Sequence, residues 1–213
     1  MKIEIWSDVM CPFCYIGKRK LENALAAFPG RDGVGIIWKS FQLNPDMRTE
    51  PGKSITQYLM EKKGWSLEQT RSQHERLTQV AADLGLIYDF DRAVVANSFD
   101  AHRLVQLAKR DGFGDAMEER LFKAYFSEGK NIADPTTLVE LSREAGLNAA
   151  EAETVLAGRA FAEEVKADVR EAQQLGVTGV PFFVFDRKFA VSGAQDVSVF
   201  ARALEKAALE KAA

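Results

Sequence analysis

The chain has 213 residues, 46% of them hydrophobic and 28% charged, with a net charge of −3. That length can bury a sizeable core. The acidic balance argues against a nucleic-acid binder, and no apolar run approaches the roughly 20 residues of a membrane span.

Met1-Lys2 is followed by Ile3-Glu4-Ile5, and Asp8 interrupts any apolar leader core. No signal peptide is therefore expected, and the protein reads as cytoplasmic. Structural disulfides rarely persist in that compartment.

Lys2 to Trp6 is rich in β-formers and reads as a first strand. The stretch SDVMCPFCYIG follows, and it holds both cysteines of the chain, Cys11 and Cys14. Three readings compete. A structural zinc site needs about four ligands, and beyond the cysteines only His74 and His102 are at hand, so no metal is expected. Two unrelated buried thiols are the plain alternative. The third is a redox dithiol, which a C-x-x-C beside a βαβ pattern suggests.

The context favours the third reading. Cys14, Gly17, Leu21, Leu25 and Phe28 fall on one helical stripe. Pro12 suits the first helical position, which makes Cys11 the N-cap. There its sulfur faces unpaired N–H groups that favour a thiolate, while Cys14 lies a turn deeper and is the less exposed partner. Val34 to Phe41 reads as a second strand, placing the dithiol at the carboxyl end of the first.

From Lys53 to about Ala172 the pattern is almost entirely helical. Starts are expected near Ile55, at Ser66, at Asn97-Ser98, before Met117, at Pro135 and at Asn148, with a return helix around Phe161 to Leu175. Gly64, Gly85, Gly112 and Gly146 read as stops. The stretch reads as a helical insertion roofing the dithiol. A second cluster, GVTGVPFFVF, runs from Gly176 into an aromatic strand. Pro181 belongs at the strand start, and by itself it is an ordinary turn proline. A hairpin through Asp186-Arg187-Lys188 and a closing helix complete the chain.

Taken together, CPFC opening a helix, WKSFQLNPD, NSFDAHRL and TGVPFFVF resemble the DsbA family of thioredoxin-fold oxidoreductases, and within it the cytoplasmic FrnE-like branch. The resemblance covers nearly the whole chain. It implies an α/β thioredoxin fold with a large all-helical insertion, with residues 1–52 and 153–213 as the thioredoxin-like domain and 53–152 as the insertion. It also implies a protein-disulfide oxidoreductase in which Cys11 is the nucleophile, Cys14 resolves the mixed disulfide, and Pro181 is cis. A cis Pro181 would hold Val180 extended beside the sulfurs, where its N–H and C=O can pair with substrate. Some FrnE-like members carry a second cysteine pair near the C-terminus, and this chain has none. Phe13 supplies no imidazolium, so the disulfide is expected to be less oxidising than that of periplasmic relatives.

Pro12, Phe13 and Val180 are the expected substrate-contacting neighbours. Asn97 and His102 are weaker candidates, because helix capping and an internal hydrogen bond explain them as well. Trp6, Phe13, Tyr15 and Trp38 are either an apolar rim or core. A Glu4–Lys39 pair across neighbouring strands is expected, satisfying a buried charge. The expected partner is a thiol- or disulfide-containing protein or small molecule, with no nucleic acid and no membrane, and with a monomer or homodimer as the assembly. No cofactor is expected beyond glutathione as a co-substrate. A glutathione-dependent transferase or isomerase, of the kappa or 2-hydroxychromene-2-carboxylate isomerase type, is the alternative, and CPFC favours redox chemistry over it. A third reading is a chaperone or assembly protein whose roof binds partners.

Overall fold

The computed structural model describes residues 1–212. Strand β1 (Lys2–Ser7) leads into α1 (Pro12–Ala26), and β2 (Gly35–Ser40) returns parallel to β1. After the intervening helices, β5 (Phe182–Phe185) and β6 (Phe189–Ser192) form the hairpin, and α9 (Val197–Ala212) closes the chain against α1. The sheet order is β2-β1-β5-β6, with β5 antiparallel to β1. This is a thioredoxin fold.

The alternation of the strands assigns the two faces of the sheet. Ile3, Ile5, Phe183 and Phe185 enter the main core with α1 and α9. Trp6 and Val184 point the other way, onto Ala172 of α8 (Ala162–Gln174). The three-residue hairpin loop turns at Asp186 and Arg187, which both take positive φ, and the Lys188 N–H closes it on the Phe185 carbonyl at 2.9 Å.

Between β2 and β5 the chain forms α2 (Ile55–Lys63), α3 (Leu67–Ala82), α4 (Phe99–Arg110), α5 (Gly114–Phe126), α6 (Pro135–Glu144) and α7 (Ala149–Ala157). Ser54 and Ser66 each build a reciprocal capping box, and Asp134 and Asn148 cap α6 and α7. Gly64, Gly85, Gly112 and Gly146 take positive φ where these helices stop.

The insertion is not all helical. Glu50–Ser54 forms β3, which pairs antiparallel with β4 (Val94–Val95) in a separate small sheet. The pairing is long-range and rests on two residue pairs, Glu50 with Val95 and Ser54 with Val94, so local helical periodicity conceals it. The expected boundaries at 52/53 and 152/153 fall inside β3 and α7 respectively.

The expected Glu4–Lys39 pair is also absent. Glu4 faces Arg187 of the hairpin turn, while Lys39 meets Asp168 at 2.7 Å and Glu171 at 2.8 Å on α8. In the parallel register Lys39 stands opposite Trp6, and Glu4 opposite Ile37. Glu171 reaches both cations and bridges them. Asp168 accepts further from the Ser40 N–H at 3.0 Å and from Gln106 Nε2 at 2.6 Å. One buried carboxylate thus ties α8 to β2 and α4.

Candidate active site

Pro12 begins α1, and Cys11 is its N-cap with extended backbone (φ −87°, ψ 112°). The Cys14 N–H donates to the Cys11 carbonyl at 2.9 Å, which folds the dithiol into the first turn. Both thiols are free. Cys14 is the less exposed of the two, as expected, though only by a small margin. Cys11 is 3% exposed and Cys14 1%, because the roof covers both, while Phe13 is 43% exposed. Cys11 nevertheless lines a cavity, together with Pro12, Phe13 and Val180. Trp6, Tyr15 and Trp38 are core, so only Phe13 of the expected aromatic rim lies on the cavity.

The Val180–Pro181 peptide is cis. The Cys11 thiol donates to the Val180 carbonyl at 3.4 Å, and the Pro181 carbonyl accepts from the Gly193 N–H at 2.8 Å. Gly17 permits this approach. A Cβ built on it would stand 2.9 Å from Pro181 Cγ and 3.1 Å from Phe183 Cζ. From the other side, the Tyr88 hydroxyl donates to the Pro12 carbonyl at 2.6 Å and clamps the start of α1.

A polar cluster lies behind Cys14. Burial raises the Cys14 pKa well above the ordinary thiol value, and the neighbouring Cys11 adds to this. Hydrogen bonds from the Asp8 backbone and the Ser7 side chain act in the opposite direction. The Ser7 hydroxyl in turn donates to Glu118 Oε1 at 2.7 Å. Burial pushes the Glu118 carboxyl up to about 7, with the Asp8 and Asp115 charges assisting and His102 and Ser7 opposing. His102 Nε2 lies 3.5 Å from Asp8 Oδ1. Burial disfavours the imidazolium, but Asp8 and Glu118 outweigh it and the His102 pKa is raised. Asp8 also accepts from the Leu43 N–H at 2.8 Å, fixing the loop after β2.

His102 therefore belongs to the buried cluster, and it does not line the cavity. Asn97 does not line it either. Its Oδ1 accepts from the Phe99 N–H at 2.9 Å, and its Nδ2 donates to the Met47 and Pro45 carbonyls at 2.8 and 3.1 Å. It starts α4 and pins the loop after β2. The residues that sequence reasoning missed are Ser7, Tyr88 and Glu118. Glu118 left a signal: it shares a helical stripe with Phe122 and Tyr125, both buried, where an acid is out of place.

Two thiols on a helix N-terminus, backed by a titratable carboxyl near 7 and opening on an apolar cavity, can carry out thiol–disulfide exchange. The same fold is found in known proteins. A structure of a probable DsbA oxidoreductase from Streptomyces coelicolor superposes with a TM-score of 0.92 at 45% identity, covering 97% of this chain and 89% of that one. The uncharacterized protein YwbO of Bacillus subtilis is 29% identical over 210 residues, spanning 95% of this chain and 94% of that protein. The cytosolic disulfide reductase DsbM of Pseudomonas aeruginosa, also solved with GSH, shares the fold at a TM-score of 0.68 and 23% identity, covering 97% of this chain and 98% of its own. Residues 2–205 match the DSBA-like thioredoxin domain, and the chain belongs to that family.

Proposed function

We propose that this protein is a thiol–disulfide oxidoreductase working through a mixed disulfide on Cys11. The observation that carries this reading is the placement of the Cys11 thiol, on the cavity wall and hydrogen-bonded to the Val180 carbonyl, with Cys14 one turn behind it. The Cys11 thiolate attacks a substrate disulfide, one substrate thiolate leaves, and a mixed disulfide forms. Cys14 then attacks Cys11, closing the protein disulfide and releasing the second thiolate. Run backwards, the same steps oxidise a substrate dithiol.

The second step needs Cys14 to lose its proton in a buried site that disfavours the charge. Ser7 can accept that proton while passing its own to the Glu118 carboxylate. A base near 7 is suited to this at neutral pH. His102 and Asp8 hold the cluster in place and balance its charge.

The FrnE-like branch and a cytoplasmic location rest on the motif resemblance. Glutathione as a co-substrate is supported by the DsbM structure with GSH. The test is catalysed reduction of a disulfide by dithiothreitol. Cys11→Ser should abolish it, and turnover that survives this change removes the reading.

A further inference from the structure

The cavity on which Cys11 opens has a volume of about 420 Å³, within the ~300–1,000 Å³ of small-molecule sites. It lies between the dithiol and the roof, with Met47, Trp65, Phe90 and Phe126 among its walls. Two residues of this wall, Tyr125 and His74, each carry a buried polar atom with no hydrogen-bond partner, the Tyr125 hydroxyl and His74 Nε2. Their side chains are 1% and 9% exposed. Leaving such groups unpaired in a native protein is costly, and each calls for an explanation. Burial keeps the Tyr125 phenol protonated, so it is a donor without an acceptor. Burial also lowers the His74 pKa, and its ring, stacked on Phe90 at 4.2 Å, is neutral at pH 7.

The rim of the cavity is cationic. Lys62 and Lys63 line it at the end of α2, and neither has a carboxylate within ion-pair distance among the described residues. Glu61, the acid beside them, is engaged by Lys53.

We infer that this cavity binds a low-molecular-weight disulfide with an aromatic or similarly apolar body and an anionic group, and that such a molecule is the preferred substrate of the dithiol. The apolar body fills the cavity. An acceptor oxygen meets the Tyr125 hydroxyl and the neutral His74 ring, and the anionic group faces Lys62 and Lys63. The inference rests on the dithiol reading above. In the step, the Cys11 thiolate breaks the ligand S–S bond and forms a new one, and an aryl thiolate leaves. Closure of the Cys11–Cys14 disulfide releases the second aryl thiolate. The protein dithiol loses two electrons and two protons, the ligand gains the two electrons, and dithiothreitol restores the dithiol.

The test uses four disulfides: dithiobis-nitrobenzoate (aromatic, anionic), dithiodipyridine (aromatic, neutral), cystamine (aliphatic, cationic) and insulin. Each rate with reduced protein is divided by the rate with free dithiothreitol, which removes intrinsic reactivity. The normalised rate for dithiobis-nitrobenzoate should exceed that for cystamine and insulin by about tenfold or more. Lys62→Ala with Lys63→Ala should lower it about tenfold and change the dithiodipyridine rate by less than about twofold. Tyr125→Phe and His74→Leu should raise its half-saturation concentration by roughly two- to tenfold without lowering thermal stability. Equal normalised rates for all four disulfides, or variants that leave these ratios unchanged, overturn the cavity assignment and leave the dithiol chemistry standing. No reaction of Cys11 with any of them overturns the dithiol reading itself.

Discussion

The Ser7 hydroxyl donates to the Glu118 carboxylate at 2.7 Å across 111 residues of sequence, with both side chains buried behind Cys14. This contact joins the first strand of the sheet to the roof. In the mechanism proposed above it is the outlet for the Cys14 proton, which neither element could supply alone.

The resolving step should therefore accelerate as pH rises through about 7, where the Glu118 carboxyl ionises. Glu118→Gln keeps a side chain able to accept from Ser7 but cannot take a proton. Stopped-flow measurement of second-thiol release should show that step slowed by about tenfold to a hundredfold at pH 8, with the inflection near 7 lost. An unchanged pH profile would remove Glu118 from the proton path and leave it a structural group.

The same cluster should make stability fall with pH. The Glu118 pKa is raised from 4.5 to about 7 in the folded state, so the folded protein holds this proton after the unfolded chain has lost it. Stability from this group is full below about 4.5 and is lost as pH rises through 7. His102, also raised, acts in the same direction: its contribution is complete below about 6.5 and lost above its folded value. Denaturant unfolding of Glu118→Gln against the parent should favour the variant by a margin that grows from pH 5 to pH 8, by up to about 3 kcal/mol. The groups facing Glu118 are Ser7, Asp8, His102, Asp115 and Lys109, all common to both proteins.

Gly17 sets the gap between α1 and Pro181. Gly17→Ala places a methyl 2.9 Å from Pro181 Cγ, so α1 and the loop before β5 must separate. Thermal unfolding should show a loss of about 1–3 kcal/mol. Disulfide turnover should fall further than stability explains, because the Cys11–Val180 contact spans that gap.

Asp168 should be intolerant of truncation. Asp168→Ala leaves the Lys39 ammonium, the Ser40 N–H and the Gln106 amide without their shared acceptor, and should cost about 3–5 kcal/mol in unfolding. Asp168→Asn, which keeps an acceptor oxygen, should cost less.

Local features were legible in the sequence. The N-cap position of Cys11, Pro12 at the first helical residue, the serine cap of α3 and the four glycine stops follow from the stereochemistry of a few neighbouring residues. Long-range choices were not. Glu4 had two cations within reach and took Arg187, because the hairpin turn carries that guanidinium over its end of β1. The β3–β4 pair joins residues about 40 apart through two short segments with no periodicity of their own. Glu118 is marked in the sequence only as an acid on an apolar stripe, and nothing local to either residue joins it to Ser7. The burial of Cys11 depends on where the roof rests, which no residue near the dithiol encodes.

The most direct measurement is mass mapping of a Cys14→Ser variant after brief exposure to dithiobis-nitrobenzoate. With the second thiol gone, the mixed disulfide cannot resolve. The account predicts one stable thionitrobenzoate adduct, located on Cys11, while the parent protein under the same conditions ends as the Cys11–Cys14 disulfide with two equivalents of thiolate released. No adduct on Cys11 in the variant, together with ready labelling of Cys14 in a Cys11→Ser protein, would contradict it.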